Sequence, residues 1–244
     1  MFRYRLSLSY DGSSFKGWQI QPNAPSVQDV LQKTLQIVIG EKVSVVGAGR
    51  TDAGVHAACQ IAHFETVFSL PSRFLETTNQ LLPPTIRILS IERIGAHFHA
   101  RFSAREKTYH YRMTTASSLH PFHARYCTLL AGGLDREKIQ NALKFFVGTH
   151  DFSSFTNALK PIRCPIKTIY SITYIPENNQ CFCLEFKGNG FLYKMVRNIV
   201  GTLIYVGKNK IPWNSIPSLL HAKDRRHVPP PAPAQGLFLV SVSY

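Results

Sequence analysis

The first group in this chain that could do chemistry is a carboxylate in a loop of small residues. The stretch GAGRTDAGVHA runs from Gly47 to Ala57 and sets Asp52 two positions after Arg50. Its three glycines and three alanines leave room for backbone or ligand to approach the acid. A carboxylate can serve as nucleophile or general base when something orients it and keeps it ionised. Arg50 is one candidate partner, or it points instead toward a ligand. The bland alternative is a tight turn in which Asp52 caps a backbone group. The loop is not a phosphate-binding P-loop, and its glycines do not follow the dinucleotide fingerprint.

Three other stretches carry candidate chemistry. In KTYHYRM, Lys107, Tyr109 and Tyr111 share one face of a predicted strand. A lysine beside aromatics suits base stacking plus phosphate contact, and a core-facing tyrosine pair is the alternative. In NGFLYKMVRNIVG, Arg197 sits inside an apolar helix near Phe191 and Met195, with Lys194 three residues earlier. An arginine buried there needs a carboxylate or a phosphate, and Asp52 is one such carboxylate; otherwise it snorkels to solvent. In HAKDRRHVPPPAPAQ the basic part reads as a phosphate contact or as a plain charged loop.

The elements that must position these groups read as one pattern stated twice. FRYRLSLSY alternates, with Phe2, Tyr4, Leu6, Leu8 and Tyr10 on one face, as a half-buried strand does. SVQDVLQKTLQIVIG opens on Ser26 as N-cap and closes on Gly40. EKVSVV, CQIAHFET and TIRILSIERI read as strands, and SRFLETTNQLL as a helix stopped by Pro83 and Pro84. The second half follows with KTYHYRMTT, the helix DREKIQNALKFFVG, the strands IKTIYSITYI and CFCLEFKG, the helix FLYKMVRNIVGTLIYVG and the strand GLFLVSVSY. The expected fold is α+β: two tandem βαββαβ halves, ferredoxin- or RRM-like, forming one continuous, mostly antiparallel sheet flanked by helices. The expected domains are 1–103 and 104–244, with the active-site cleft between them.

Composition narrows the partners. Of 244 residues, 28 are Lys or Arg and 14 are Asp or Glu, a net charge of +14. That excess repels itself unless a polyanion is bound, which favours a nucleic acid. No apolar run approaches membrane-spanning length, and the N-terminus does not read as a signal peptide, so a cytoplasmic location is expected. The five cysteines form no C-x-x-C pair, and His97 and His99 alone do not make a metal site, so neither disulfide nor metal is expected.

Taken in order, YDGSSFKGWQIQ, GAGRTDAGVHA, HFHARFSAREKTYHYRM, HDFSSF, NGFLYKMVRNIVG and the run from AKDR to GLFLVSVSY resemble the tRNA pseudouridine synthase A family across nearly the whole chain. The resemblance implies an isomerase that breaks the uridine N-glycosidic bond, rotates the uracil and reattaches it through C5. It implies no cofactor, because substrate and product are isomers. The substrate would be the anticodon stem-loop of tRNA, at the family's positions 38, 39 and 40, and the enzyme a homodimer. By the same resemblance Asp52 matches the nucleophile, and Tyr109 the tyrosine that packs on the target base and serves proton removal from C5. Arg197 matches the basic residue paired with the aspartate, and Arg50 the arginine that inserts as the base flips out. Lys107, Phe191 and Lys194 join Arg50 and Tyr109 as expected substrate contacts. Cys59 stands where relatives carry glycine, and Lys194 where many carry histidine. A non-catalytic RNA-binding protein or chaperone is the rival reading, and a carboxylate-based nucleoside hydrolase a third.

Overall fold

The computed structural model describes residues 1–159 and 163–244. In chain order the strands and α-helices are β1 (Phe2–Tyr10), α1 (Val27–Ile39), β2 (Val46–Gly47), β3 (His56–Thr66), α2 (Phe74–Leu81) and β4 (Ile86–Ile94). They continue with β5 (Glu106–Thr114), β6 (Thr128–Leu129), α3 (Arg136–Leu143), β7 (Gly148–Asp151), β8 (Ile166–Pro176), β9 (Cys181–Gly188), α4 (Met195–Gly207), α5 (Ile216–His221) and β10 (Leu237–Ser243). The chain separates into two compact units. One comprises Met1–Arg105 and Phe238–Tyr244, the other Glu106–Leu237. Among the described residues no helix is long and apolar enough to cross a membrane.

The first unit follows the βαββαβ order. β1 is central, antiparallel to both β3 and β4. Its alternation places Tyr4, Leu6, Leu8 and Tyr10 inside, beside the buried stripe Val27, Leu31 and Leu35 of α1. Phe2 is only half-buried and lies under the Arg93 guanidinium, 4.2 Å from its ring centroid. Ser26 caps α1 by accepting the Asp29 N–H at 3.3 Å. Gly40 ends the helix with φ +83°, a left-handed turn that glycine adopts without strain.

EKVSVV forms strand only at Val46–Gly47. The Val45 N–H donates to Gln32 Oε1 at 3.0 Å, and its carbonyl accepts from Gln28 Nε2 at 2.7 Å. Side chains of α1 thus take the hydrogen bonds that a neighbouring strand would have made. The terminal strand, which counting repeats puts in the second half, groups with the first unit. There β10 runs parallel to β3 through Phe238↔His56 and Leu239↔Ala57.

The face of this unit opposite Tyr4 and Leu6 carries a smaller cluster. Ala48, Ile61 and Ala100 are buried there, with Cys59, Phe98, Val242 and Tyr244 packed against them. Buried His63 accepts the Ala100 N–H on Nδ1 at 3.1 Å. Burial, helped by His99 and Arg3 and opposed by Glu65, pushes its imidazole down to about 4. A neutral ring in the fold and a ring titrating near the ordinary value of about 6.5 when unfolded fix the sign. The His63 contribution is full above about pH 6.5 and is lost as pH falls toward 4. Thermal midpoints of wild type and His63→Gln measured across that window are expected to converge on acidification.

The second unit is also α+β, with β9 antiparallel to β5 and β8, β7 antiparallel to β8, and β6 parallel to β5. Two helix predictions shorten. α3 stops at Leu143, and Phe146 is buried in the turn that follows. Gly148 does not end the helix; it opens β7 with φ +107°. α4 starts at Met195 rather than Phe191, because Lys194 takes a left-handed φ of +59° that breaks helical continuity.

Candidate active site

The Asp52 loop hangs between β2 and β3, and the segment after β1 clamps it. The Trp18 N–H donates to the Thr51 carbonyl at 3.1 Å. The Thr51 hydroxyl bonds the buried Tyr10 hydroxyl at 2.8 Å. Gln60 Nε2, on β3, donates to the Gly49 carbonyl at 2.8 Å. The turn itself closes through backbone: the Val55 N–H donates to the Asp52 carbonyl at 3.1 Å, and Gly54 has φ +77°. The buried Trp18 ring lies so close to Gly47 that a Cβ there would stand 2.6 Å from it. The loop's shape is therefore set by neighbours on both sides. Asp52 is half-buried and Arg50 is exposed. The arrangement presents a partly solvated carboxylate on a fixed backbone, as a nucleophile or base needs.

The loop's exit is equally fixed. The Gly12 N–H donates to His56 Nδ1 at 3.1 Å, and the His56 ring stacks on Phe238 at 4.7 Å. None of these contacts was legible in the motif, since their partners come from positions 10, 12, 18, 60 and 238. The only hint is that YDGSSFKGWQIQ is glycine-rich around a lone tryptophan.

In the second unit, β5 holds Lys107, Tyr109 and Tyr111 at alternate positions, with Tyr109 opposite Phe186 and Tyr111 opposite Leu184 on β9. The two tyrosines have different tasks. Tyr111 is fully buried, and its hydroxyl bonds Thr128 Oγ1 and donates to the Pro233 carbonyl, both at 2.8 Å. Burial pushes its phenol well up. It is core. Tyr109 is 6% exposed and meets the edge of the half-buried Phe191 ring at 5.2 Å and 83°. Tyr111→Phe is expected to cost about 1–3 kcal/mol by leaving the buried Thr128 hydroxyl without its partner. Urea denaturation should show that loss, with turnover per folded molecule unchanged.

Arg197 lies in the first turn of α4 and is half-buried. Its Nε donates to the Ala232 carbonyl at 2.8 Å, and its own carbonyl accepts the Ala232 N–H at 2.9 Å. The proline-rich segment is thereby strapped along α4. It passes so close that a Cβ on Gly201 would stand 2.1 Å from the Pro230 carbonyl oxygen. Lys194 lies beside the Tyr193 ring, its ammonium 5.2 Å from the centroid.

In the basic stretch before the prolines, Arg225 is structural. Arg225 donates to Asn198 Oδ1 at 3.1 Å, to the Pro229 carbonyl at 3.0 Å and to the Val228 carbonyl. Asn198 in turn donates to the Phe155 carbonyl at 2.7 Å and to Asn157 Oδ1 at 2.9 Å. Lys223 pairs with Asp151 at 3.3 Å and Arg226 with Asp224. Asn198 and Arg225 are the positioning groups that sequence reasoning passed over; a polar Asn in an apolar helix was the available signal.

Asp52 and Arg50 thus belong to one unit, and Lys107, Tyr109, Phe191, Lys194 and Arg197 to the other. Two of the five cysteines are poorly suited to thiol chemistry. Burial pushes the Cys127 thiol up to about 11 and Cys183 up to about 12, so neither is a thiolate at neutral pH.

This combination of a pinned small-residue aspartate loop and the motifs around Tyr109 and Arg197 can be set against known proteins. The profile of the tRNA pseudouridine synthase family matches residues 7–103 and 142–244. The chain belongs to the tRNA pseudouridine synthases. It is 43% identical, over all of its length and 97% of the relative's, to tRNA pseudouridine synthase A 1 of Protochlamydia amoebophila. It is 40% identical to tRNA pseudouridine synthase A of a Thermoanaerobacter species, covering 98% of both chains. Among solved structures, the archaeal box H/ACA Nop10–Cbf5 complex matches at 13% identity and a TM-score of 0.39, covering 83% of this chain and 43% of that one. As a tRNA pseudouridine synthase the chain is an isomerase acting on uridine.

Proposed function

We propose that this synthase modifies uridines on the 3′ side of the anticodon stem-loop of tRNA, with Asp52 as its nucleophile. In the net reaction the C1′–N1 bond breaks and a C1′–C5 bond forms. The proton on C5 leaves to solvent, and N1 takes one up. Tyr109 packs on the uracil face and relays the C5 proton, passing its own hydroxyl proton to solvent as it takes the one from C5, Arg197 supplies compensating positive charge, and Arg50 enters the stem as the base flips out. Lys107, Phe191 and Lys194 contact the RNA around it. The observation that carries this reading is the Asp52 loop, whose neighbours fix its backbone through Thr51 and Gly49 and which closes on itself between Val55 and Asp52. Extruding a base costs roughly a few kcal/mol, and phosphate contacts by a chain of net charge +14 can offset it. The same reading has the enzyme acting as a homodimer in the cytoplasm.

Tritium at uracil C5 of unmodified tRNA transcripts tests it. Release to water, together with pseudouridine mapped to the 3′ side of the anticodon stem, is the expected result. Pseudouridine formed only elsewhere in the tRNA would refute the site assignment. Tight, salt-sensitive binding without release would favour the non-catalytic RNA-binding reading.

A further inference from the structure

The segment from Gly95 to Arg105 contains no acidic residue and carries His97, His99, Arg101 and Arg105. It is tied down at many points. Arg3 donates to the Phe98 carbonyl at 2.6 Å and to Glu65 at 2.9 Å. The Ser103 N–H donates to the His99 carbonyl at 2.9 Å, and the His99 N–H to Ser103 Oγ at 3.0 Å. Tyr244 donates to the Ala100 carbonyl at 2.8 Å. The His99 ring itself accepts the Arg101 and Phe102 N–H groups on Nδ1, at 3.1 and 3.2 Å.

At the tip of this fixed turn Phe102 is 77% exposed. The His99 ring stacks on it at 4.3 Å and 28°, and the Arg101 guanidinium carbon lies 5.6 Å from its centroid. The turn holds the Phe102 ring largely in water, in contact with two nitrogen-rich side chains. Bases of unpaired nucleotides stack on such faces, and neighbouring arginines take the phosphates.

We propose that Phe102, backed by His99 and flanked by Arg101, is a stacking platform for an unpaired tRNA base other than the reacting uridine. The proposal rests on tRNA being the substrate. Distance separates the platform from Asp52 itself: the loop starts beside the platform, where Gly47 pairs with Ala62, but Thr51 is tied to Tyr10 at the other end of the strand. Ala57, opposite Tyr10, marks the loop end of β3, and His63, under the platform, lies six residues further on. That is roughly 20 Å along the strand. Charge selects the occupant: a second copy of a +14 chain would bring like charge against Arg101 and Arg105, whereas RNA brings phosphate.

The test measures affinity of the full chain for a fluorescein-labelled tRNA transcript, with Phe102→Trp, Phe102→Leu and Phe102→Ala. Stacking predicts that Trp binds at least as tightly as wild type. Leu and Ala are expected to bind on the order of tenfold more weakly, with the loss appearing in KM rather than kcat and the thermal midpoint unmoved. Arg101→Ala is expected to lower the salt slope by about one. Leu binding as tightly as wild type would overturn the platform, and so would an Ala variant that changes the sedimenting species. If wild type binds tRNA but forms no pseudouridine, the functional reading fails, while the ranking of the Phe102 variants still decides the platform.

Discussion

Asp52→Asn is expected to lower turnover on tRNA by at least about 10³-fold, roughly 4 kcal/mol of transition-state stabilisation, with tRNA affinity within about twofold of wild type. The amide matches the carboxylate in shape but cannot form the covalent bond or accept a proton. The contacts that hold the loop run through the Thr51 carbonyl and hydroxyl, the Gly49 carbonyl and the Asp52 carbonyl, all of which the substitution keeps. A large loss at an unchanged thermal midpoint therefore reports on the carboxylate and not on a collapsed loop. Tritium release under single-turnover conditions, paired with a binding isotherm, checks both halves. An Asn variant that retained more than about a tenth of the rate would remove Asp52 from the nucleophile role.

Gly12→Ala is expected to be the most damaging single methyl in the first unit. An added Cβ would stand 1.9 Å from the Val55 carbonyl oxygen and 2.6 Å from its carbon, and both are backbone atoms that cannot rotate away. Overpacking against fixed backbone costs about 3 kcal/mol or more. For a chain of this size that lowers the thermal midpoint by roughly 6–12 °C. Gly40→Ala is the control. Its φ is +83°, but an added Cβ there meets nothing within 4 Å, so only the left-handed strain of about 1–2 kcal/mol remains. Because Val55 ends the Asp52 loop, Gly12→Ala is also expected to reduce turnover at temperatures where it stays folded, and Gly40→Ala to leave turnover alone. Equal midpoints for the two variants would show that the loop yields to the added methyl.

Much of the local structure was present in the residue order. The alternation of β1 and the Ser26-to-Gly40 limits of α1 depend on neighbours a few residues apart, so a linear reading captures them. GAGRTDAGVHA likewise announces a small-residue loop with an acid in it. What such a reading left open about Lys107, Tyr109 and Tyr111 was which tyrosine is core, because both point the same way from one strand. Both are buried, and what differs is the company each keeps: Thr128 and Pro233, far along the chain, take the Tyr111 hydroxyl, and the Tyr109 ring meets Phe191. The basic run beside the prolines stays open between a phosphate contact and a charged loop for the same reason. Arg225 and Lys223 look free in sequence, and their partners Asn198, Pro229 and Asp151 are brought to them by folding.

By itself the sequence determined the alternation, the helix caps, the charge of +14 and the family. Each is a property of composition or of short spacing. The tertiary structure decided the parallel pairing of β10 with β3, the clamp of Tyr10, Trp18 and Gln60 on the Asp52 loop, and the exposure of Phe102. Each of these rests on atoms from distant segments meeting within hydrogen-bond or van der Waals range, or failing to meet. Which segments meet is settled by closing the whole core at once, and no short window of sequence carries that information.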